Sequence, residues 1–244
     1  DIGAFWMYAG GRYLAVDTGY LAEKWTALHN TLLVGGRGQG MDGSYWNDRG
    51  MDYARFDAAR LLAHRLEPEY GFARGEFSSV YPTELGLRAL RRAVVMARDR
   101  LLVLDEMEAE RPQTLTWICH SDTPFEPADG GGFVARGPGA ALAVLPLGPA
   151  PAEGGNRRTV VNPSKSPGRG ANMETIHHLR LETPALAEAR LATALVAIGA
   201  DEAPPRARLV EWTAGRAIVE LVRAGRTPER IEVELETGTV KSGP

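Results

Sequence analysis

The 244-residue chain contains a single cysteine, Cys119. One thiol closes no intramolecular disulfide and builds no cysteine-based metal cluster. It lies in the apolar run Trp117-Ile118-Cys119-His120, which reads as a strand holding a buried, inert thiol. Neither sign of charge is in excess: 28 Lys and Arg against 31 Asp and Glu leave a net charge of −3. A basic footprint for nucleic acid is therefore missing. No apolar stretch is long enough to span a membrane, so neither nucleic acid nor membrane is an expected partner. The glycine run Gly35-Gly36-Arg37-Gly38-Gln39-Gly40 lacks the Gly-Lys-Ser/Thr ending of a phosphate loop; its ordinary reading is a surface turn. No repeat of fixed period is visible. No leader-like segment and no initiating Met open the chain, so the expectation is a piece of a longer protein.

What is present suits a soluble, well-cored chain. Hydrophobic residues make up 44% and charged residues 24%, ordinary values for a globular protein. The length fits one large all-β domain covering 1–244. Two apolar runs, 2–9 and 12–17, flank Gly10-Gly11, a hairpin signal because both central residues can take φ > 0. Further strands are expected at 72–81, 92–97, 100–105, 114–119, 175–181, 189–198, 207–212, 217–222 and 231–236. Segment 52–66 approximates helical spacing but is read as strand, and a short helix is expected at 83–90. The Gly/Pro-rich stretches 126–132 and 146–171 read as breaks, the second as a long basic surface loop. Many short strands with regular turn signals imply an all-β fold, an antiparallel β-sandwich of stacked sheets with one or two short helices.

The chemistry-bearing stretch is Asp17-Thr18-Gly19-Tyr20 followed by His29-Asn30-Thr31. A carboxylate ends the second strand and an imidazole precedes Leu32-Leu33-Val34. The loop between them is long enough to bring both side chains together, and Asp oxygen and His nitrogen are ordinary zinc ligands. Two ligands do not make a site. The alternative is an Asp in a turn and a His at a strand start, each bonded to backbone. Asn30, with its short amide side chain, suits holding the turn at His29. His177 and His178 are strand neighbours that point to opposite faces, so they cannot chelate one ion together. His64 and His120 read as surface and core or rim positions, Asp105 as a turn cap. Arg37, Arg49, Arg91 and Arg92 read as solvated charges that can also meet carboxylates.

Asp1-Ile-Gly-Ala-Phe5, Tyr8-Ala-Gly-Gly-Arg-Tyr-Leu-Ala-Val-Asp17-Thr-Gly19 and His29-Asn30-Thr31 together resemble the heparinase II/III-like polysaccharide lyases. The β-domain of that family opens with a His-x-His-x-Asp-type segment and an Ala-Phe or Ser-Phe strand. An Asp-x-Gly and an Ala-His-Asn-Thr segment follow. The resemblance is close over 1–39. It continues loosely to about 126 through Gly75-Glu76-Phe77 with Tyr81, Arg91-Arg92-Ala-Val-Val, Leu101–Leu104 with Asp105, and Trp117 with His120. The chain begins at the Asp of the first segment, so the upstream histidines are not in it.

The resemblance implies the C-terminal β-sandwich of an enzyme that cleaves a uronate-containing polysaccharide by β-elimination, in the periplasm or outside the cell. It implies a structural zinc held by Asp17, His29 and an upstream His, and a helical N-terminal domain as partner. It makes Tyr20 the candidate acid or base. The loop departs from the family pattern: it is short, and Lys24 and Trp25 stand where an Arg is usual. With a net charge of −3, any grip on a polyanion must come from a local cationic patch or from another part of the parent. The competing reading is a non-catalytic carbohydrate-binding or scaffold β-sandwich module, since fold does not imply function.

Overall fold

The computed structural model describes residues 2–17, 25–40, 42, 53–149, 152–161 and 174–244. Of the described residues 61% are strand and 7% helix, which bears out the all-β expectation. Strands β1 (Met7–Ala9) and β2 (Arg12–Ala15) form the opening hairpin, and β3 is Leu32–Val34. Among the described residues one short α-helix, α1 (Tyr53–Asp57), precedes β4 (Arg60–Leu66), β5 (Tyr70–Glu76), β6 (Leu87–Ala97) and β7 (Arg100–Gln113). Then come β8 (Leu115–Ser121), β9 (Phe125–Ala128), β10 (Gly132–Arg136), β11 (Ala140–Pro149) and β12 (Glu153–Val161). After β13 (Glu174–Glu182) and β14 (Leu186–Gly199), strands β15 (Arg206–Trp212), β16 (Arg216–Val222), β17 (Glu229–Glu234) and β18 (Val240–Gly243) close the chain.

An eight-stranded sheet, ordered β4-β5-β6-β7-β14-β11-β10-β9, forms the middle layer. The four-stranded sheet β12-β13-β8-β3 covers one face and β15-β16-β17-β18 the other. All pairings are antiparallel. An antiparallel sheet with one wet face shows apolar–polar alternation, whereas one covered on both faces shows continuous apolar runs. The middle layer is the second kind. Leu101 and Val103 enter the core shared with Leu32, Trp117 and Leu179. Leu102 and Leu104, their strand neighbours, enter the opposite core with Val219 and Val233. The runs Ala140–Leu145 and Leu191–Val196 are buried throughout for the same reason, Pro and polar residues being absent apart from Thr193.

Four local expectations are corrected. Segment 52–66 divides into α1 and β4 instead of forming one strand; Ser79 Oγ donates to Arg55 O at 2.8 Å and fixes the helix. The helix expected at 83–90 is a single 3-10 turn, Thr83–Leu85. Gly86 stops it in the left-handed region at φ 64°, where glycine bears no Cβ penalty. The break expected at 126–132 is the β9–β10 hairpin. The loop expected at 146–171 carries β12, whose backbone pairs with all nine residues of β13.

Candidate functional site

The opening hairpin turns at Gly10 and Gly11, both at positive φ (60° and 81°), with Ala9 opposite Arg12. This is the two-residue connection that a right-handed strand twist favours. β2 then leaves its partner and touches β8: Val16 N donates to His120 O at 3.0 Å. Asp17 follows directly. At the far end of the loop, a 3-10 turn over Thr26–Leu28 delivers His29. Side chains fix that turn. Thr26 N donates to Asp42 Oδ1 at 2.6 Å, and Gln39 N donates to Thr26 Oγ1 at 2.8 Å.

The structure brings Asp17 and His29 together, with His29 Nδ1 2.7 Å from Asp17 Oδ2. Their side chains are 14% and 18% exposed, so the pair is partly buried and still reached by solvent. Tyr20, the candidate acid or base, lies outside the described residues. Two donors on one zinc at bonds of about 2.0–2.1 Å stand about 3.3 Å apart at a tetrahedral angle. The pair needs an opening of about half an ångström to reach that spacing. In donor chemistry and spacing Asp17 and His29 therefore fit two corners of a zinc site. Among the described residues no group of three His, Cys, Asp or Glu completes one.

Behind the pair lies a buried polar network around Asn30 and His120. Asn30 was expected to hold the His29 turn, but its amide bonds go elsewhere. Asn30 Nδ2 donates to Phe5 O and to Val16 O, each at 2.8 Å. Asn30 Oδ1 accepts from His120 N at 2.7 Å and stands 3.0 Å from His120 Nδ1. A primary amide has four such positions, and all four are filled in a side chain with no exposure. One residue thus ties the start of the hairpin, the end of β2 and strand β8. Gln39 fixes the chain start in the same way: its Oε1 accepts from Ile2 N and its Nε2 donates to Ile2 O, both at 2.8 Å.

Arg92 and Asp105, read from the sequence as a solvated charge and a turn cap, form a buried bidentate ion pair. They are register partners on β6 and β7. Arg92 Nε and Nη2 donate to the Asp105 carboxylate at 2.6 and 3.0 Å, and Arg92 Nη1 donates to Gly3 O at 2.6 Å. A charge in each of two adjacent apolar strands was the available signal; without the register, nothing in the sequence pairs them.

His120 is fully buried, opposite His178 in register, with ring centroids 5.4 Å apart. Burial, then the neighbouring His178 ring, pulls its pKa down to about 3, against the opposing pull of Asp17. A histidine whose folded pKa is depressed contributes stability that is present above the unfolded value, near 6.5, and is lost as pH falls towards the folded value. Unfolding free energy should therefore rise from about pH 3 to about pH 6.5, with His120 supplying a slope of up to about 1.4 kcal/mol per pH unit. Urea denaturation across that range checks it. The limb should be shallower in His120→Gln, and an unchanged limb would remove His120 as its source.

A profile of the family described as heparinase II/III-like, C-terminal, matches residues 1–146. No curated protein matches the chain. Among solved structures, a heparan sulfate lyase, HepC from Pedobacter heparinus, superposes with a TM-score of 0.76 at 15% identity, over 98% of this chain and 37% of that one. A heparinase III structure superposes with a TM-score of 0.71 at 16% identity, over 96% of this chain and 36% of that one. At such identities the likeness shows the fold. The chain spans little more than a third of the length of those structures.

Proposed function

The chain belongs to the heparinase II/III-like C-terminal family, and from that premise we propose that it forms one wall of the cleft of a polysaccharide lyase. The substrate is a polysaccharide containing uronic acid, met in the periplasm or outside the cell. The whole span 1–244 acts as one β-domain beside a helical N-terminal domain of the same protein. The observation that carries the reading is the contact of Asp17 with His29 at 2.7 Å, which closes the loop holding Tyr20 at both ends. The structural relatives, a heparan sulfate lyase and a heparinase III, support the choice of substrate.

β-Elimination at a uronate breaks the C5–H bond and the C4–O bond and forms a C4=C5 double bond. The proton goes to a base, and the departing sugar oxygen takes one from an acid. The C5 proton becomes removable once charge on the carboxylate is neutralised and the enolate-like intermediate is stabilised. Tyr20 is assigned proton transfer at C5 or at the leaving oxygen, which requires a group within hydrogen-bond reach of that atom. Asp17 and His29 position the loop. Zinc, when bound to them and to a further donor, supplies a structural brace and not an activated water. Asn30, next to His29 in the chain, anchors the backbone on the other side of the pair through Val16 O and ties both to β8 through the His120 amide.

The test uses the full-length protein on a panel of uronate polymers, with absorbance of the unsaturated product as readout. Turnover is expected, falling at least about 100-fold in Tyr20→Phe. Asp17→Ala and His29→Ala should lower both turnover and the zinc found by elemental analysis. Absence of product on every polymer of the panel would overturn the lyase reading; binding without product would favour a carbohydrate-binding module.

A further inference from the structure

Three aromatic side chains stand in the open at the start of the chain, Tyr8 and Tyr13 on the outer face of the opening hairpin and Trp6 just ahead of β1. Trp6, Tyr8 and Tyr13 are 52%, 61% and 57% exposed, while Phe5, Met7 and Leu14 beside them are buried. The alternation is that of strands with one face on the core. Tyr8 and Tyr13 are register partners across the hairpin, their ring centroids 5.1 Å apart in an edge-to-face arrangement. Among the described residues neither phenol hydroxyl has a hydrogen-bond partner.

The platform is held rigidly. A Cβ on Gly10 would lie 2.6 Å from Ala140 Cβ, so the turn sits hard against the β10–β11 connection. Arg12 Nη2 donates to both oxygens of Asp122 at 2.5 and 2.6 Å and ties the hairpin to the end of β8. The same strand leads to the candidate site. At about 3.3 Å per residue, Tyr13 stands about 13 Å from Asp17, a stretch that accommodates a few sugar residues.

We propose that Trp6, Tyr8 and Tyr13 are a sugar-stacking subsite that holds the pyranose faces of the polysaccharide chain as it runs to the Asp17–His29 pair. The proposal rests on the lyase reading for the identity of the chain and adds how that chain is held. A pyranose presents an apolar C–H face and polar edges. Trp and Tyr present an apolar body and a polar tip, which is the complementary surface. Trp and Tyr also anchor protein partners; what favours a sugar on this hairpin is that the strand bearing Tyr13 runs on to Asp17 and His29. None of the three platform residues is charged, so their share of binding withstands salt, whereas contacts to carboxylate or sulfate are screened.

The experiment measures binding of alginate and heparan sulfate oligosaccharides to the full-length protein by calorimetry, at low and at high salt. Trp6→Ala and Tyr13→Ala should each weaken binding by several-fold to about tenfold, with the loss persisting at high salt. Trp6→Leu and Tyr13→Leu keep apolar area without a ring and should lose as much, which separates stacking from general apolarity and from misfolding. In turnover, the loss should appear in KM with kcat retained. Unchanged affinity in the alanine variants, or a loss abolished by salt, would overturn the subsite. So would shielding of Trp6 from acrylamide, read as the difference in quenching between wild type and Trp6→Phe, since protein would then cover the face. Ring-dependent binding without turnover would retain the platform and sink only the lyase reading; turnover with unchanged KM in Trp6→Ala would do the reverse.

Discussion

Arg92→Met is expected to destabilise the protein by about 3–5 kcal/mol, the cost of removing one partner from a buried ion pair. Arg92 is 3% exposed and Asp105 not at all. Burial pushes the Asp105 carboxyl above its ordinary range, and Arg92 pulls it back. Without the guanidinium, that carboxylate remains in a low-dielectric interior, and Gly3 O loses a donor. The double variant Arg92→Met/Asp105→Leu should recover most of the loss, because well-packed apolar replacements of a whole buried pair are often neutral. Equal stability of the single and double variants in urea denaturation would show that packing, not the orphaned charge, set the cost. The pH dependence has a definite sign. With its folded pKa raised further above the unfolded value, Asp105 in the single variant binds the extra proton on folding. The penalty of Arg92→Met is therefore smallest in acid and grows as pH rises through the carboxyl's folded pKa.

Asn30→Ala should cost about 3 kcal/mol or more, because it strands several buried backbone groups at once. Phe5 O and Val16 O lose their donor and His120 N its acceptor, each worth about 1–3 kcal/mol when buried and unsatisfied. Asn30→Asp keeps the size but replaces the donating amide by an oxygen facing two carbonyls, so it should be no better tolerated. Thermal unfolding reads the stability. Hydrogen exchange at the His120 amide reads the local effect, which should exceed that at Val219 in the far core. A loss of protection spread evenly over both cores would refute the local role. Where the variant still folds, Asp17 and His29 lose their common anchor, and under the function proposed above the turnover and zinc content of the full-length protein should fall together.

The strand runs and the hairpin at Gly10-Gly11 were legible because turn chemistry and apolar runs are local properties. So was the meeting of Asp17 with His29, since a strand end, a loop of limited length and a second strand start constrain each other. Residues 52–66 and 83–90 misled because short apolar spacings fit either period, and the outcome was decided by Ser79 and by Gly86, both outside any periodic pattern. The stretch containing β12 looked like a loop because its Gly and Pro residues signal breaks, yet pairing with β13 overrides that propensity. The Arg92–Asp105 pair was hidden because it depends on strand register, which no local pattern states. The role of Tyr20 stands on the loop's ends alone.

The lone thiol has a practical consequence. Cys119 is fully enclosed in the core under β8, and burial pushes its ionisation well above the ordinary thiol value. Its reactive thiolate is therefore absent from the closed state. Alkylation of this protein meters excursions in which β8 leaves its neighbours. At modest reagent concentration the labelling rate tracks the equilibrium population of open molecules, and at saturating reagent it tracks the opening rate itself. The chain thus carries a built-in stopwatch for the layer that supports Asp17, His29 and Asn30, without an engineered probe.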